Sequence, residues 1–203
     1  MSEKPPVLNT PRLDLTLITS HDLEHSLLLT NRSLISTNGP RFNGDTPRVL
    51  VPVSPNENAV KLSFGVKNKS TGAVDNLELY VTLPKNIGVE YDDEYEWGKG
   101  VPFTNDKDSE QFKTMMWRFP RMLLAGDADH APMIKFPMPQ PTLMLQLPCV
   151  IVIASKEPPN RLFRFWLVLA QIPASVTNKQ TVRVIERNQL ILWPDGRFGA
   201  SWE

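Results

Sequence analysis

AVKLSFGVKNKSTGAVDNLELYVTLPKNIGVE, residues 59–90, carries the clearest pattern in the chain. Val60, Leu62, Phe64 and Val66 alternate with Lys61, Ser63, Gly65 and Lys67. After a polar stretch from Asn68 to Asp75 the alternation resumes: Leu77, Leu79, Val81 and Leu83 on one side, Glu78, Tyr80 and Thr82 on the other. A period of two places one set of side chains on each face of a strand. The stretch therefore predicts two strands with one buried and one wet face each, paired as a hairpin and closed by the corner Leu83-Pro84.

The rest of the chain extends this pattern. Leu13, Leu15 and Leu17 alternate in RLDLTLIT, residues 12–19. Residues 48–53 form a short strand in which Pro52 predicts an edge position. FKTMMWRF at 112–119 is a further strand, and CVIVIA at 149–154 is an apolar run suited to a central strand buried on both faces. In RLFRFWLVLAQ, residues 161–171, Phe163, Phe165, Leu167 and Leu169 share a face, opposed by Leu162, Arg164, Trp166 and Val168. Residues 181–186 and 189–193 predict a hairpin, with Pro194-Asp195-Gly196 turning into a last strand, RFGASW. Polar turn chemistry marks 32–47 and 126–130 as loops, and the five prolines of 132–148 predict an edge or polyproline-like connector. At residues 20–31, Leu23, Leu27 and Leu28 recur at helical spacing behind Ser20, a fitting N-cap, so a short helix leading into a strand is expected.

The composition agrees. Nineteen prolines in 203 residues exclude long helices, since each removes an amide donor and clashes with the preceding turn. Many short strands at turn-marked intervals predict an all-β, immunoglobulin-like β-sandwich with extra strands and one short helix. Residues 1–10 read as a tail and 11–203 as a single domain, the alternative being two subdomains at 11–125 and 126–203.

The pattern around Val66, with Asn68, Gly72, Leu83 and Pro84 at its fixed points, resembles the strand-turn-strand core of immunoglobulin-like repeats of the CARDB-like and DUF11-like families. That resemblance covers residues 59–90. It implies a sandwich fold and a role in adhesion or spacing, which those families mostly perform on secreted or surface proteins.

Charge restricts the partners. Lys and Arg total 22 against 22 Asp and Glu, so the chain lacks the basic footprint of a nucleic-acid binder. No run reaches the roughly 18 apolar residues of a membrane helix, and MSEKPPVLNT has no apolar signal core, so no direct membrane insertion is expected. The single cysteine, Cys149, forms no intrachain disulfide and favours a reducing, cytoplasmic compartment. The alternative is a soluble domain of a larger surface or membrane-anchored protein.

Chemistry-bearing motifs are sparse. His21-Asp22-Leu23-Glu24-His25 fits H-x-x-E-H. On a helix His21 and His25 would share a face and hold zinc, with Glu24 polarising a water. The plainer reading is two histidines on a polar turn, because the remaining histidine, His130, falls in an expected loop. The acidic run Glu90, Asp92, Asp93, Glu94 and Glu96 offers oxygen ligands to calcium but lacks the order of a dedicated loop. Arg161, Arg164 and Trp166 suit a phosphate or a stacked base, though packing under another layer explains them with less. Pro137-Met138-Pro139-Gln140-Pro141 reads as a rigid connector before it reads as a proline-motif ligand. Cys149 opens a buried run without a histidine partner, and no nucleophile elbow or phosphate-binding glycine loop occurs, so no enzyme and no cofactor is expected.

Residues 91–111, YDDEYEWGKGVPFTNDKDSEQ, form a long acidic loop with Tyr91, Tyr95, Trp97 and Phe103 spaced along it. Aromatic rings on such a loop suit a protein partner or a sugar. The expected function is a non-enzymatic binding or assembly module acting on a protein partner or on itself. The alternatives are a small-ligand or carbohydrate-binding sensor and, third, a metal-dependent hydrolase through His21 and His25.

Overall fold

The two apolar stripes of residues 59–90 are both buried, yet they belong to different sheets. The computed structural model describes residues 12–19, 24–27, 42, 46–54, 57–91, 97–99, 111–138, 144–156, 160–171, 183–185, 190–192 and 198–200. In chain order the strands are β1 (Leu13–Thr19), β2 (Glu24–Ser26), β3 (Arg48–Val53), β4 (Ala59–Asn68), β5 (Glu78–Pro84), β6 (Glu90–Tyr91), β7 (Gly98–Lys99) and β8 (Phe112–Arg118). They continue as β9 (Ala128–His130), β10 (Ile134–Pro137), β11 (Met144–Ala154), β12 (Arg161–Gln171), β13 (Arg183–Ile185), β14 (Leu190–Leu192) and β15 (Phe198–Ala200). One sheet has the order β2-β1-β4-β10-β6, with β9 also on β4; the second has the order β13-β3-β12-β11-β5-β8-β7. A ribbon of β14 and β15 stands apart.

The inner faces are the stripes read from the sequence. Leu15 and Leu17 lie beside Val66 and Phe64, and Leu62 beside Ile134, all fully buried. In the facing sheet Ile151 lies between Val81 and Phe163, and Cys149 beside Phe165. Phe64 of one sheet meets Phe165 of the other with ring centroids 6.4 Å apart, which places the two faces in direct contact. β1-β4-β10 against β5-β11-β12, with crossings at β4→β5 and β10→β11, is the A-B-E and C-F-G arrangement of an immunoglobulin-like sandwich. β3 extends it by pairing in parallel with β12. Strands from before and after residue 125 interleave in both sheets.

β4 and β5 are thus an arch between sheets, which corrects the expected hairpin. Asn68 shows why. Its side chain is fully buried, and Nδ2 donates to the carbonyls of Gly72 (2.8 Å) and Leu123 (3.0 Å). Its Oδ1 accepts from Ser70 N (2.9 Å) and from the Ser70 hydroxyl. Asn68 N donates to Asp127 O (2.8 Å), and Gly126 N donates to Asn68 O (2.8 Å). The end of β4 is therefore committed to the 119–127 segment and has no ladder position left for β5. Val74 and Leu123 then pair in an isolated bridge that carries the chain across the end of the core.

Other expectations change for equally local reasons. Glu24–Ser26 is strand on β1, not helix, and Leu27 drops into the core at 3% exposure. Two of the prolines of 132–148 sit within strands: Pro137 ends β10, and Pro148 precedes Val150, where the β5 ladder begins, so its missing donor is not needed there. Among the described residues the β13 ladder covers Arg48–Leu50 and stops short of Pro52. The 126–130 turn is shorter than read, because β9 starts at Ala128 once Gly126 has turned at φ +86°. β13 pairs with β3, and β14 with β15, so the C-terminal hairpin surrounds Pro194-Asp195-Gly196 instead of linking 181–186 to 189–193. The described helical structure is one 3₁₀ turn, Lys85–Ile87.

A second constraint lies on the outer face of the first sheet. Thr16, Gly65 and His130 occupy one row across β1, β4 and β9. The His130 ring crosses over Gly65 to reach Thr16, with Nε2 2.9 Å from Thr16 Oγ1. A Cβ at Gly65 would stand 2.2 Å from His130 Cδ2 and 2.6 Å from the Asp129 carbonyl. Gly65→Ala is therefore expected to lower urea-measured stability by about 1–3 kcal/mol. In Gly65→Ala/His130→Ala the side-chain clash is gone and part of the loss returns. Asn68→Ala strips donors from the buried Leu123 carbonyl and the partly buried Gly72 carbonyl and is expected to cost about 2–3 kcal/mol in the same assay.

Candidate functional site

The end of the sandwich opposite Asn68 is shaped by strand termination. β5 ends at Pro84, paired with Phe112, and the chain enters the 3₁₀ turn at Lys85. Lys85 N donates to Gln111 O (2.9 Å), tying that turn to the start of β8, and Gly88 stops it in the left-handed region at φ +65°. In the other sheet β10 stops at Pro137, beside Ala59. β11 reaches past both, since Leu145–Pro148 pair with β12 alone. These unequal strand ends leave a cleft of about 780 Å³.

Pro84, Ile87, Phe112, Pro137, Leu145 and Pro148 supply its apolar walls. Among the described residues its polar lining is Asn86, Gln111 and Gln146, with Lys85 as the one formal charge. The volume lies within the range of roughly 300–1,000 Å³ of ligand pockets. Apolar walls with carboxamides at the rim can bury an aliphatic or aromatic group and hydrogen-bond the polar atoms around it. Among the described residues no acid, histidine or thiol lines the cleft.

Of the aromatic-loop residues, Tyr91 is placed by its backbone in β6, opposite Ile134, whereas Tyr95 and Phe103 lie outside the described residues. Trp97 is half-buried. It packs on the core's edge with its ring centroid 6.1 Å from that of Trp117 and a tilt of 55°. Its ring thus shares its surface with Trp117, which leaves less of it for a partner than an open loop would.

The zinc reading loses its helix. His21 lies outside the described residues, and Glu24 and His25 occupy consecutive strand positions opposite Ile18 and Leu17. Among the described residues no group of three or more His, Cys, Asp or Glu is placed to hold a metal. Within the acidic run Glu90 is paired with Lys135 (2.6 Å), and Asp92, Asp93, Glu94 and Glu96 are not among the described residues. Cys149 is fully buried, and burial pushes its thiol far above the ordinary range. Trp166 packs under Phe42, centroids 5.0 Å apart, rather than standing open to a base. Pro137 and Met138 are a strand end and a buried side chain, and Pro139–Pro141 fall outside the described residues.

The cleft residues are what sequence reading missed. Pro84, Pro137 and Pro148 are far apart in the chain, and each was legible only as a local corner or connector. Their shared property, a strand terminus or unpaired ladder position, is the signal that points to one end of a sandwich.

Comparison with known proteins adds little. No protein-family profile and no curated protein matches the chain. Among solved structures, an uncharacterized protein from Nocardia farcinica with an immunoglobulin-like fold is 14% identical at a TM-score of 0.35, covering 62% of this chain and 99% of that one. The ASH/PapD-like domain 7 of human CEP192 is 12% identical at a TM-score of 0.31, covering 71% of this chain and 99% of that one. The fold assignment rests on the strand pairings. Among the described residues no helix is long and apolar enough to cross a membrane.

A polar cluster at the other end of the second sheet gives a pH signature. The Tyr80 hydroxyl donates to Glu78 Oε2 (2.7 Å), and Arg118 Nε donates to Oε1 (3.0 Å). The Tyr80 hydrogen bond, and then Arg118, hold the Glu78 carboxyl below its usual range; the same bond and burial hold the Tyr80 phenol above its own. Glu78 thus adds stability above its unfolded pKa of about 4.3, which is lost as pH falls through the lower folded value. Tyr80 adds stability below its unfolded pKa of about 10, lost as pH rises through the higher folded value. Arg118 is 68% exposed, which limits the ion pair itself to under about 1 kcal/mol. The stability difference between wild type and Tyr80→Phe is expected to be flat from about pH 5 to 9 and to shrink beyond either end, as read by urea titrations across pH.

Proposed function

We propose that the chain is a non-enzymatic binding or assembly module that takes an apolar anchor of a protein partner into the cleft between Pro84, Phe112 and Pro148. The observation that carries this reading is the cleft itself, apolar in its walls and with Lys85 as the sole formal charge of its lining among the described residues. The aromatic loop adds to it. Tyr95 and Phe103 precede Gln111 and Phe112 in the chain, and both of these line the cleft. Buried aromatic and aliphatic anchors dominate the energetics of such contacts. The buried thiol of Cys149 suits a cytoplasmic setting. A small apolar ligand is the second reading, favoured by the cleft volume.

Selection of displayed peptides against the full chain tests the proposal. Peptides with an apolar anchor are expected, losing at least about tenfold in affinity, or 1.4 kcal/mol, on Ile87→Asp. Thr71→Asp, at the opposite end, should leave affinity unchanged. Peptides that bind wild type and Ile87→Asp alike would overturn it. Thermal stabilisation by small apolar compounds with no peptide selected would favour the second reading.

A further inference from the structure

We infer that the partner received by the cleft is the opposite end of a second copy of this chain, so that copies join head to tail. This rests on reading the cleft as a protein-binding site. At the far end Val74 and Leu123 bond to each other through both backbone pairs, 2.9 and 2.8 Å, with both side chains turned into the core. Alternation then turns the neighbours of Leu123 outward. Met122 is 54% and Leu124 52% exposed, and these two are the exposed large hydrophobics among the described residues.

The exposed pair stands on a prepared backbone. Asn68 binds the carbonyls of Gly72 and Leu123 on either side of the bridge, so little loop ordering remains to be done on contact. The projecting apolar pair matches a recess walled by Ile87, Phe112, Leu145 and Pro148. Charge agrees with the fit. Asp75, which follows Val74 and is exposed, flanks Met122 across the bridge, and Lys85 lines the cleft. A molecule cannot make this contact with itself. β11 runs from the cleft toward the tip over 11 residues, and at about 3.3 Å per residue it separates the two ends by roughly 35 Å. An interface between different patches is heterologous and propagates into chains or closes into rings. With two exposed anchors it is a weak contact, formed at high protein concentration.

Sedimentation equilibrium on the full chain, up to about 1 mM, provides the test. The average mass of wild type is expected to rise with concentration above the 23.0 kDa of one chain. Met122→Asp/Leu124→Asp and, separately, Ile87→Asp should stay monomeric while keeping the wild-type circular dichroism spectrum and a cooperative melt. Mixing those two defective proteins should yield dimers and nothing larger, since each keeps one intact half. Lys85→Asp and Asp75→Lys should each weaken association, and the two changes together should restore it. Wild type that stays monomeric at 1 mM, or a mixture that fails to dimerise, overturns the inference. If wild type is monomeric yet selects peptides that Ile87→Asp loses, the self-partner is wrong and the binding-module reading stands; if it does neither, both fall.

Discussion

Asn68 ends β4 with its side chain fully buried and with its carboxamide and both backbone groups engaged. A buried amide left without partners costs a desolvation penalty, so this position is stable only when the 69–77 and 119–127 segments close over it. Their closure sends the chain out of one sheet and into the other. Everything that makes the molecule a sandwich follows, because the stripe from Val60 to Val66 then faces the stripe from Leu77 to Leu83 instead of lying beside it. Phe64 and Phe165 meet in the middle of the layer so formed.

The two ends of the sandwich differ as a result. At the Asn68 end, hydrogen bonds consume the loop backbone and turn Met122 and Leu124 outward. At the opposite end the strands finish at different heights. Pro84 and Pro137 stop two strands while β11 runs on beside β12, and the gap between them is the cleft. Proline does this without orphaning a donor, since a residue with no N–H costs nothing at a position with no partner. Two polar groups serve the fold: His130 bridges Gly65 to reach Thr16, and Cys149 fills an inner-face position beside Phe165.

Legibility varied with the range of the interaction involved. Residues 12–19 were readable as a strand because apolar and polar residues alternate there, and 48–53, 112–119 and 161–171 because they are short runs rich in β-branched, aromatic and other apolar side chains. Glu24–Ser26 was not, since three residues carry no period and the leucines after them fit a helix equally well. The 132–148 stretch misled because prolines argue against a strand wherever both ladder sides are needed. At Pro148 only one side is used within the described ladders. For the site, the sequence pointed to aromatic rings and to H-x-x-E-H, both local patterns. The cleft is assembled from four separated segments and has no local pattern at all.

From the amino-acid sequence alone came the all-β class, the residues of the two inner faces and the inert burial of Cys149, all consequences of alternation and hydrophobicity along a few residues. The tertiary structure decided which strands are neighbours. A period of two specifies the face on which a side chain lies, but it is the same for a hairpin and for an arch. Only the hydrogen bonds that Asn68 makes to residues 4 and 55 positions away separate the two. The cleft and the exposed tip, being made where strands from distant parts of the chain end together, exist only once that choice has been made.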